Sequence, residues 1–223
     1  MSKAITIEHL EWYSQPNLTD ELIAAAVTPR NKALLGVLGK GGLRITEVVR
    51  IKVPDVDFEK ESLSILGLKE RTRIRCHYCS EKLVKKHLFC PACGNKVAQA
   101  LREKIEWRSQ RIVPIDRGTL DSLEQYLEGR RQFSYRGELL FPFTRQRAWQ
   151  LVEQLGRRIG LKGLHPESLR HLLAARWVNK GLDVKKLQFL LGYADAATQP
   201  PNFSFEQLKF EYQKLWGNGQ DEV

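Results

Sequence analysis

All four cysteines of this 223-residue chain lie within one eighteen-residue stretch, as Cys76-His77-Tyr78-Cys79 and Cys90-Pro91-Ala92-Cys93-Gly94. Two Cys-x-x-Cys pairs make two knuckles, and each can present two thiolates to one ion. Four thiolates complete a tetrahedral Zn2+ shell with no open position, the pattern of a structural site. The ten-residue connector suffices for a hairpin loop. Gly94 follows the second pair, where the chain must turn tightly. The expected ligands are Cys76, Cys79, Cys90 and Cys93 around a structural Zn2+, with His77 and His87 as bystanders. Iron, two disulfides or four free thiols are the alternatives. Disulfides belong to oxidising compartments. This sequence has no apolar signal core at its start and no apolar run of about 18 residues. It therefore reads as a cytoplasmic protein with no membrane partner, and a site this small folds only with its metal.

Net charge is +10 and the sequence pI is near 9.5. That balance favours a polyanionic partner. The excess is concentrated, because residues 66–111 hold 12 Lys+Arg against 4 Asp+Glu. A charge run is commonly a solvated face, but here most of the surplus falls in the cysteine-bearing segment. Double-stranded DNA is the expected partner. Candidate backbone contacts are Arg71, Arg73, Arg75, Lys82, Lys85 and Lys86 around the cysteines, with Arg145 and Arg147 opening a later helix. Contacts of this kind position a protein without specifying a base sequence.

Along the chain, Thr19-Asp20-Glu21 opens a helical pattern with Thr19 as N-cap, Pro29 interrupts, and a second helix runs from about Asn31 to Leu38. Ile45–Ile51 reads as a short helix and Leu63–Leu66 as a strand. A basic strand over Lys69–Arg75 enters the first knuckle, a helix over 95–106 leaves the second, and Ser109–Ile115 returns as a strand. Further helices are expected at about 118–130, 145–159, 168–179, 183–190 and 204–215. This gives an α+β fold, mainly helical, with a small antiparallel β-sheet. Residues 1–68 and 108–223 form one domain, and 69–107 form a zinc-binding insertion in a β-hairpin.

Two arginine boxes stand far apart. One reads Gly41-Gly42-Leu43-Arg44-Ile45-Thr46-Glu47, the other Leu164-His165-Pro166-Glu167-Ser168-Leu169-Arg170-His171, and Leu190-Leu191-Gly192-Tyr193 follows. Their order and spacing resemble the catalytic domain of tyrosine recombinases, the phage-type integrases. The resemblance spans about Leu18 to Trp216. It implies phosphodiester transesterification, in which a tyrosine attacks phosphorus and two arginines hold the non-bridging oxygens. A guanidinium suits that task because its planar fork donates two parallel bonds to a phosphate. On this resemblance the family-equivalent positions are Arg44, Lys69, Glu167, Arg170 and Tyr193.

Several departures weaken the chemistry the resemblance implies. Glu167 stands where the family has histidine, and a carboxylate there repels phosphate. Tyr193 replaces the usual histidine or tryptophan. The family's nucleophilic tyrosine follows about nine residues later, where this chain has Asn202 within Thr198-Gln199-Pro200-Pro201-Asn202-Phe203. The family's N-terminal DNA-clamping domain is also not found, which implies a smaller contact area. The expectation is a DNA-binding, non-cleaving relative that serves as a regulator or accessory factor in recombination. One alternative is an active recombinase with a displaced nucleophile, Tyr212 or Tyr193, or a chain in which Phe203 stands for a tyrosine. Another is a protein-interaction module whose zinc insert, or C-terminal helix bearing Phe203, Phe205, Phe210 and Trp216, docks a second copy or another recombinase. Retained arginines also have purely structural readings: Arg44 paired with Glu47, and Arg170 paired with Glu167. His171 is expected to pack against the fold, and His165 to sit on the wrong helical face.

Overall fold

The computed structural model describes Gln15 and residues 17–84, 86–97, 101–132, 138–193 and 203–216, with no side-chain description for 67–73, 101–109 and 132. The chain divides into two compact units, residues 1–65 with 111–223, and residues 66–110.

The larger unit is built around one helix whose last seven residues are all buried. α1 spans Leu18–Ala24 and α2 spans Pro29–Gly39. Ala33 through Gly39 are all buried, as expected of a helix surrounded by other elements. Around α2 pack α1, the four-residue α3 (Ile45–Val48), α4 (Arg117–Gln132) and α6 (Pro166–Asn179). Its approach to α4 is close: a Cβ built on Gly36 would fall 2.3 Å from Thr119 Oγ1. α5 (Arg145–Arg158) is amphipathic, burying Ala148, Leu151, Val152 and Leu155 at helical spacing. α7 (Val184–Leu190) packs on α6.

α8 (Phe205–Trp216) starts on a capping box in which Ser204 Oγ accepts the Gln207 N–H at 3.2 Å and Gln207 Oε1 accepts the Ser204 N–H at 2.9 Å. This helix folds back onto its own unit, burying Leu208, Tyr212 and Leu215. The Trp216 ring lies beneath Arg176 at 4.2 Å and Lys40 at 4.9 Å. Phe203 meets Phe189 edge-on at 5.3 Å. Of the four aromatics expected to dock a partner, Phe210 is the exposed one. No helix among the described residues is long and apolar enough to cross a membrane.

Among the described residues four strands make one sheet, antiparallel where β2 meets β1 and β3. β1 (Val56–Asp57) pairs with β2 (Ser62–Arg75) through Val56↔Leu63 and Asp57↔Ser62. The far end of β2 pairs with β3 (Lys82–Leu83), and β4 (Leu101–Pro114) also pairs with β2.

Three local expectations are corrected. Pro29 starts α2 rather than interrupting a helix, because a proline in the first turn loses no hydrogen bond and Thr28 caps it by accepting the Asn31 N–H at 3.3 Å. Asn17, not Thr19, is the N-cap of α1, and Thr19 is buried inside that helix. Residues 101–106 are strand, not helix. Leu101, Ile105, Trp107, Val113 and Ile115 share one strand parity.

Replacing Gly36 with valine should destabilise the protein by about 1–3 kcal/mol, since the added methyls have no room against Thr119. Urea unfolding of the variant beside the parent chain measures this.

Candidate functional site

Three successive carbonyls at the C-terminal end of α7 organise the site. A helix leaves its last carbonyls without intrahelical partners and carries partial negative charge there. Gly192 ends this one in the left-handed region at φ 65°, and Tyr193 closes it by donating its backbone N–H to Gln188 O at 2.8 Å. A guanidinium then meets each open carbonyl. Arg111 Nε donates to Leu190 O at 3.1 Å, Arg170 Nη2 to Leu191 O at 3.1 Å, and Arg44 Nη2 to Gly192 O at 3.5 Å.

Arg44 sits just before α3, held there by a carboxylate. Its own backbone N–H is accepted by Glu47 Oε2 at 2.7 Å, and its Nη1 lies 3.5 Å from Glu47 Oε1. Glu47 also receives the planar fork of Arg111, with Nη1 to Oε1 at 2.8 Å and Nη2 to Oε2 at 3.0 Å. Burial pushes the Glu47 carboxyl up, but the Arg111 fork, the Arg44 N–H and both positive charges outweigh it and hold Glu47 below the usual glutamate range.

Arg170 is 1% exposed. Besides Leu191 O, it donates to Gly42 O through Nη1 and lies 3.4 Å from Glu167 Oε1 through Nε. Gly42 adopts φ 65°, and a Cβ there would fall 2.6 Å from Leu173 and 2.8 Å from Leu191. Only glycine lets this backbone come so near α6 and the end of α7. Tyr193 covers both family arginines, its ring centre 5.4 Å from the Arg44 guanidinium carbon and 5.3 Å from that of Arg170. It is 51% exposed.

The fold thus brings Arg44, Arg170 and Tyr193 into one cluster, with Glu167 against Arg170. Both structural pairings foreseen for the arginines are present, Arg44 with Glu47 and Arg170 with Glu167. His171 Nε2 lies 3.9 Å from Glu167 Oε1. His165 is not on a helical face; it caps α6, its Nδ1 accepting the Ser168 N–H at 3.2 Å. Tyr212, considered as a displaced nucleophile, is 2% exposed in the core, and burial raises its phenol well above the ordinary range.

Asn202, Thr198–Pro201 and Lys85 lie outside the described residues, and Lys69, Arg71 and Arg73 are placed on β2 by backbone only. Arg145 and Arg147 are exposed in the first turn of α5. Arg111 is the site residue that sequence reading missed. The signal was available: Arg111 shares strand parity with buried Val113 and Ile115, and a charge on the buried parity calls for a buried partner.

The smaller unit gathers the four cysteines. Their sulfurs all lie within 4.8 Å of one another, with Cys76–Cys93 at 3.6 Å and Cys79–Cys90 at 3.5 Å. Edges of this size match a tetrahedron of about 2.3 Å metal–sulfur bonds, so the residues fit one ion. The two knuckles repeat one hydrogen-bond pattern. Ser80 and Gly94 donate to Cys76 O and Cys90 O at 3.0 and 2.9 Å; the N–H groups of Cys76 and Cys90 reach Glu81 O and Asn95 O at 2.9 and 2.8 Å. Ser80 and Gly94 both have positive φ, 59° and 72°. The Asn95 backbone N–H, aided by its side-chain amide at 3.5 Å, lowers the Cys93 thiol to about 6.

Comparison with known proteins agrees with this geometry. The sequence profile described as "Phage integrase family" matches residues 15–200. The chain belongs to the phage integrase family. Among its relatives is a tyrosine recombinase XerC of Roseiflexus castenholzii, 30% identical over 189 residues, covering 82% of this chain and 52% of that protein. The chain spans about half the length of the curated relatives it matches. The integrase of mycobacterium phage Brujita shares the fold at TM-score 0.58 and 16% identity, over 93% of this chain and 58% of the integrase. A XerH site-specific recombinase, solved bound to its difH substrate, does so at TM-score 0.52 and 19% identity, over 96% and 54%.

Glu47→Gln should cost about 3 kcal/mol at pH 7, because it leaves the buried Arg111 charge unpaired. Glu47 has a depressed folded-state pKa. Its contribution is therefore present above the ordinary glutamate value of about 4.3 and lost as pH falls through the lower folded value. The stability gap between parent and variant should narrow below about pH 4, as measured by denaturant midpoints across a pH series.

Proposed function

We propose that this chain is a DNA-binding member of the phage integrase family that holds duplex DNA without cutting it, acting as an accessory or regulatory factor in recombination. The observation that carries this reading is the pair of family arginines gathered around Tyr193 in a chain whose ninth residue after that tyrosine is Asn202. Glu167 points the same way. A carboxylate 3.4 Å from Arg170 neutralises the charge a scissile phosphate would need. Arg44, with its side chain about one-third exposed, keeps donors for a phosphate oxygen. Backbone contacts come from Arg44, Arg75, Lys82, Lys86, Arg145 and Arg147, with Lys69, Arg71, Arg73 and Lys85 as further candidates by sequence; Arg170, expected from the sequence to touch phosphate, is buried and instead holds the pocket through Leu191 O and Gly42 O.

The test is fluorescence anisotropy with a duplex of about 30 base pairs across a salt series, where phosphate contacts make affinity fall steeply with salt. The expected outcome is salt-dependent binding, no covalent protein–DNA product on a nicked substrate, and weaker binding after Arg44→Ala with Arg170→Ala. Unchanged affinity in the double variant removes the arginine pocket from the interface. One observation favours a second reading, strand cleavage by Tyr193, since that phenol is exposed beside both arginines. A covalent adduct that Tyr193→Phe abolishes would establish it.

The four-cysteine cluster holds a structural Zn2+ in this reading. Cys76, Cys79, Cys90 and Cys93 are the ligands, and the closed shell leaves no position for substrate. One zinc per chain by elemental analysis, with faster amide exchange confined to residues 74–97 after chelation, is the expected result; a chain purified under reducing conditions that retains no metal refutes it.

A further inference from the structure

We propose that the four-cysteine module is a separate contact for unpaired nucleic acid, with Tyr78 and Phe89 stacking on bases beside cations of the same knuckles. This deepens the DNA-binding reading above and rests on it for the polyanion, but uses residues outside the arginine cluster.

Side-chain parity carries the first part. In the pairing of β2 with β3, Ile74↔Leu83 points into the module's small core with Cys76, Cys90 and Val97. The next pair, Arg75↔Lys82, therefore points outward, and both residues are exposed. Like charges directly opposite one another on a sheet repel. Neither meets a carboxylate among the described residues; Arg75 Nη1 instead donates to Ser80 O at 3.1 Å. The second knuckle repeats the device. Val97 faces the core, so its neighbour Lys96 faces solvent, directly across an isolated bridge from Phe89. Lys96 likewise has no acidic partner among the described residues. Two cationic spots without an acidic partner among the described residues flank the two knuckles of a unit, residues 66–110, that carries 11 Lys+Arg against 4 Asp+Glu.

The aromatics carry the second part. Tyr78, at the tip of the first knuckle, is 63% exposed and meets the His77 ring edge-on, at 5.5 Å between ring centres. Phe89 is 59% exposed. A duplex hides its base faces, so phosphate contacts alone give such rings nothing to cover. Unpaired bases offer a face to each ring, and a cation beside it meets the connecting phosphate.

The experiment uses the full zinc-loaded chain with a labelled 20-nucleotide thymidine strand and, separately, the 30-base-pair duplex. The strand should bind. Tyr78→Leu with Phe89→Leu keeps apolar area but removes both rings, and should weaken strand binding by roughly tenfold or more while duplex affinity stays within about twofold, since phosphate contacts are untouched. Tyr78→Trp with Phe89→Trp should retain strand binding. Arg75→Gln with Lys82→Gln should weaken strand binding and flatten its salt dependence. Should the leucine pair lose its metal, Tyr78→Leu alone serves. No strand binding by the parent chain, or unchanged strand affinity in the leucine variants, overturns the proposal. Duplex binding without strand binding leaves the DNA-binding reading standing and removes this one; strand binding without duplex binding does the reverse.

Discussion

The buried carboxylate of Glu47 is the joint on which the site depends. Removing a charge from water is costly, and the cost is recovered only when partners occupy its lone pairs. Glu47 takes both arms of the Arg111 guanidinium and the backbone N–H of Arg44. Each partner belongs to a different part of the chain: Arg111 to the end of β4, Arg44 to the entry of α3. Arg111 in turn holds the end of α7 through Leu190 O. A single side chain therefore fixes where the first arginine box sits relative to the sheet and to the Leu-Leu-Gly-Tyr turn.

The end of α7 supplies the complementary constraint. Its open carbonyls and negative dipole end suit cations, and Arg111, Arg170 and Arg44 each take one. Gly192 makes the convergence possible, since a Cβ there would fall 2.9 Å from Arg111 Nη1. The same contacts shape function. Arg170 is committed to Leu191 O, Gly42 O and Glu167, whereas Arg44, with weaker contacts near 3.5 Å and partial exposure, is the arginine better able to turn toward a phosphate. Tyr193 spans the two.

The smaller unit solves a different problem. Among its described residues, its buried core holds only Cys76, Leu83 and Cys90, with Ile74 and Val97 packed against them. So few apolar groups cannot offset the entropy of ordering a module of this size. Two knuckles with one repeated hydrogen-bond pattern bring four sulfurs to distances that fit one metal ion, and on the proposed reading such an ion supplies what the core lacks. Its surface is thereby left free to be basic and aromatic.

Much of this was legible in the chain. The cysteine spacing named the four sulfurs that the fold gathers into one cluster, because knuckle spacing is a local property. The helices from residue 117 onward followed from apolar periodicity, and the family followed from the two boxes and the Leu-Leu-Gly-Tyr turn. Strand or helix at residues 101–106 was not legible locally, because alternation and helical spacing share positions 101 and 105, and only pairing with β2 selects the strand. The partners of the arginines were not legible either. Sequence offered Glu47 to Arg44 and Glu167 to Arg170 because those pairs are three residues apart. It could not offer Arg111 to Glu47, or three guanidinium groups to the end of α7, because those contacts join residues far apart in the chain. Local spacing thus determined which residues carry charge, clustered thiols and fold signature; tertiary packing decided which charges are buried, and a buried charge must find its partner wherever the fold brings one.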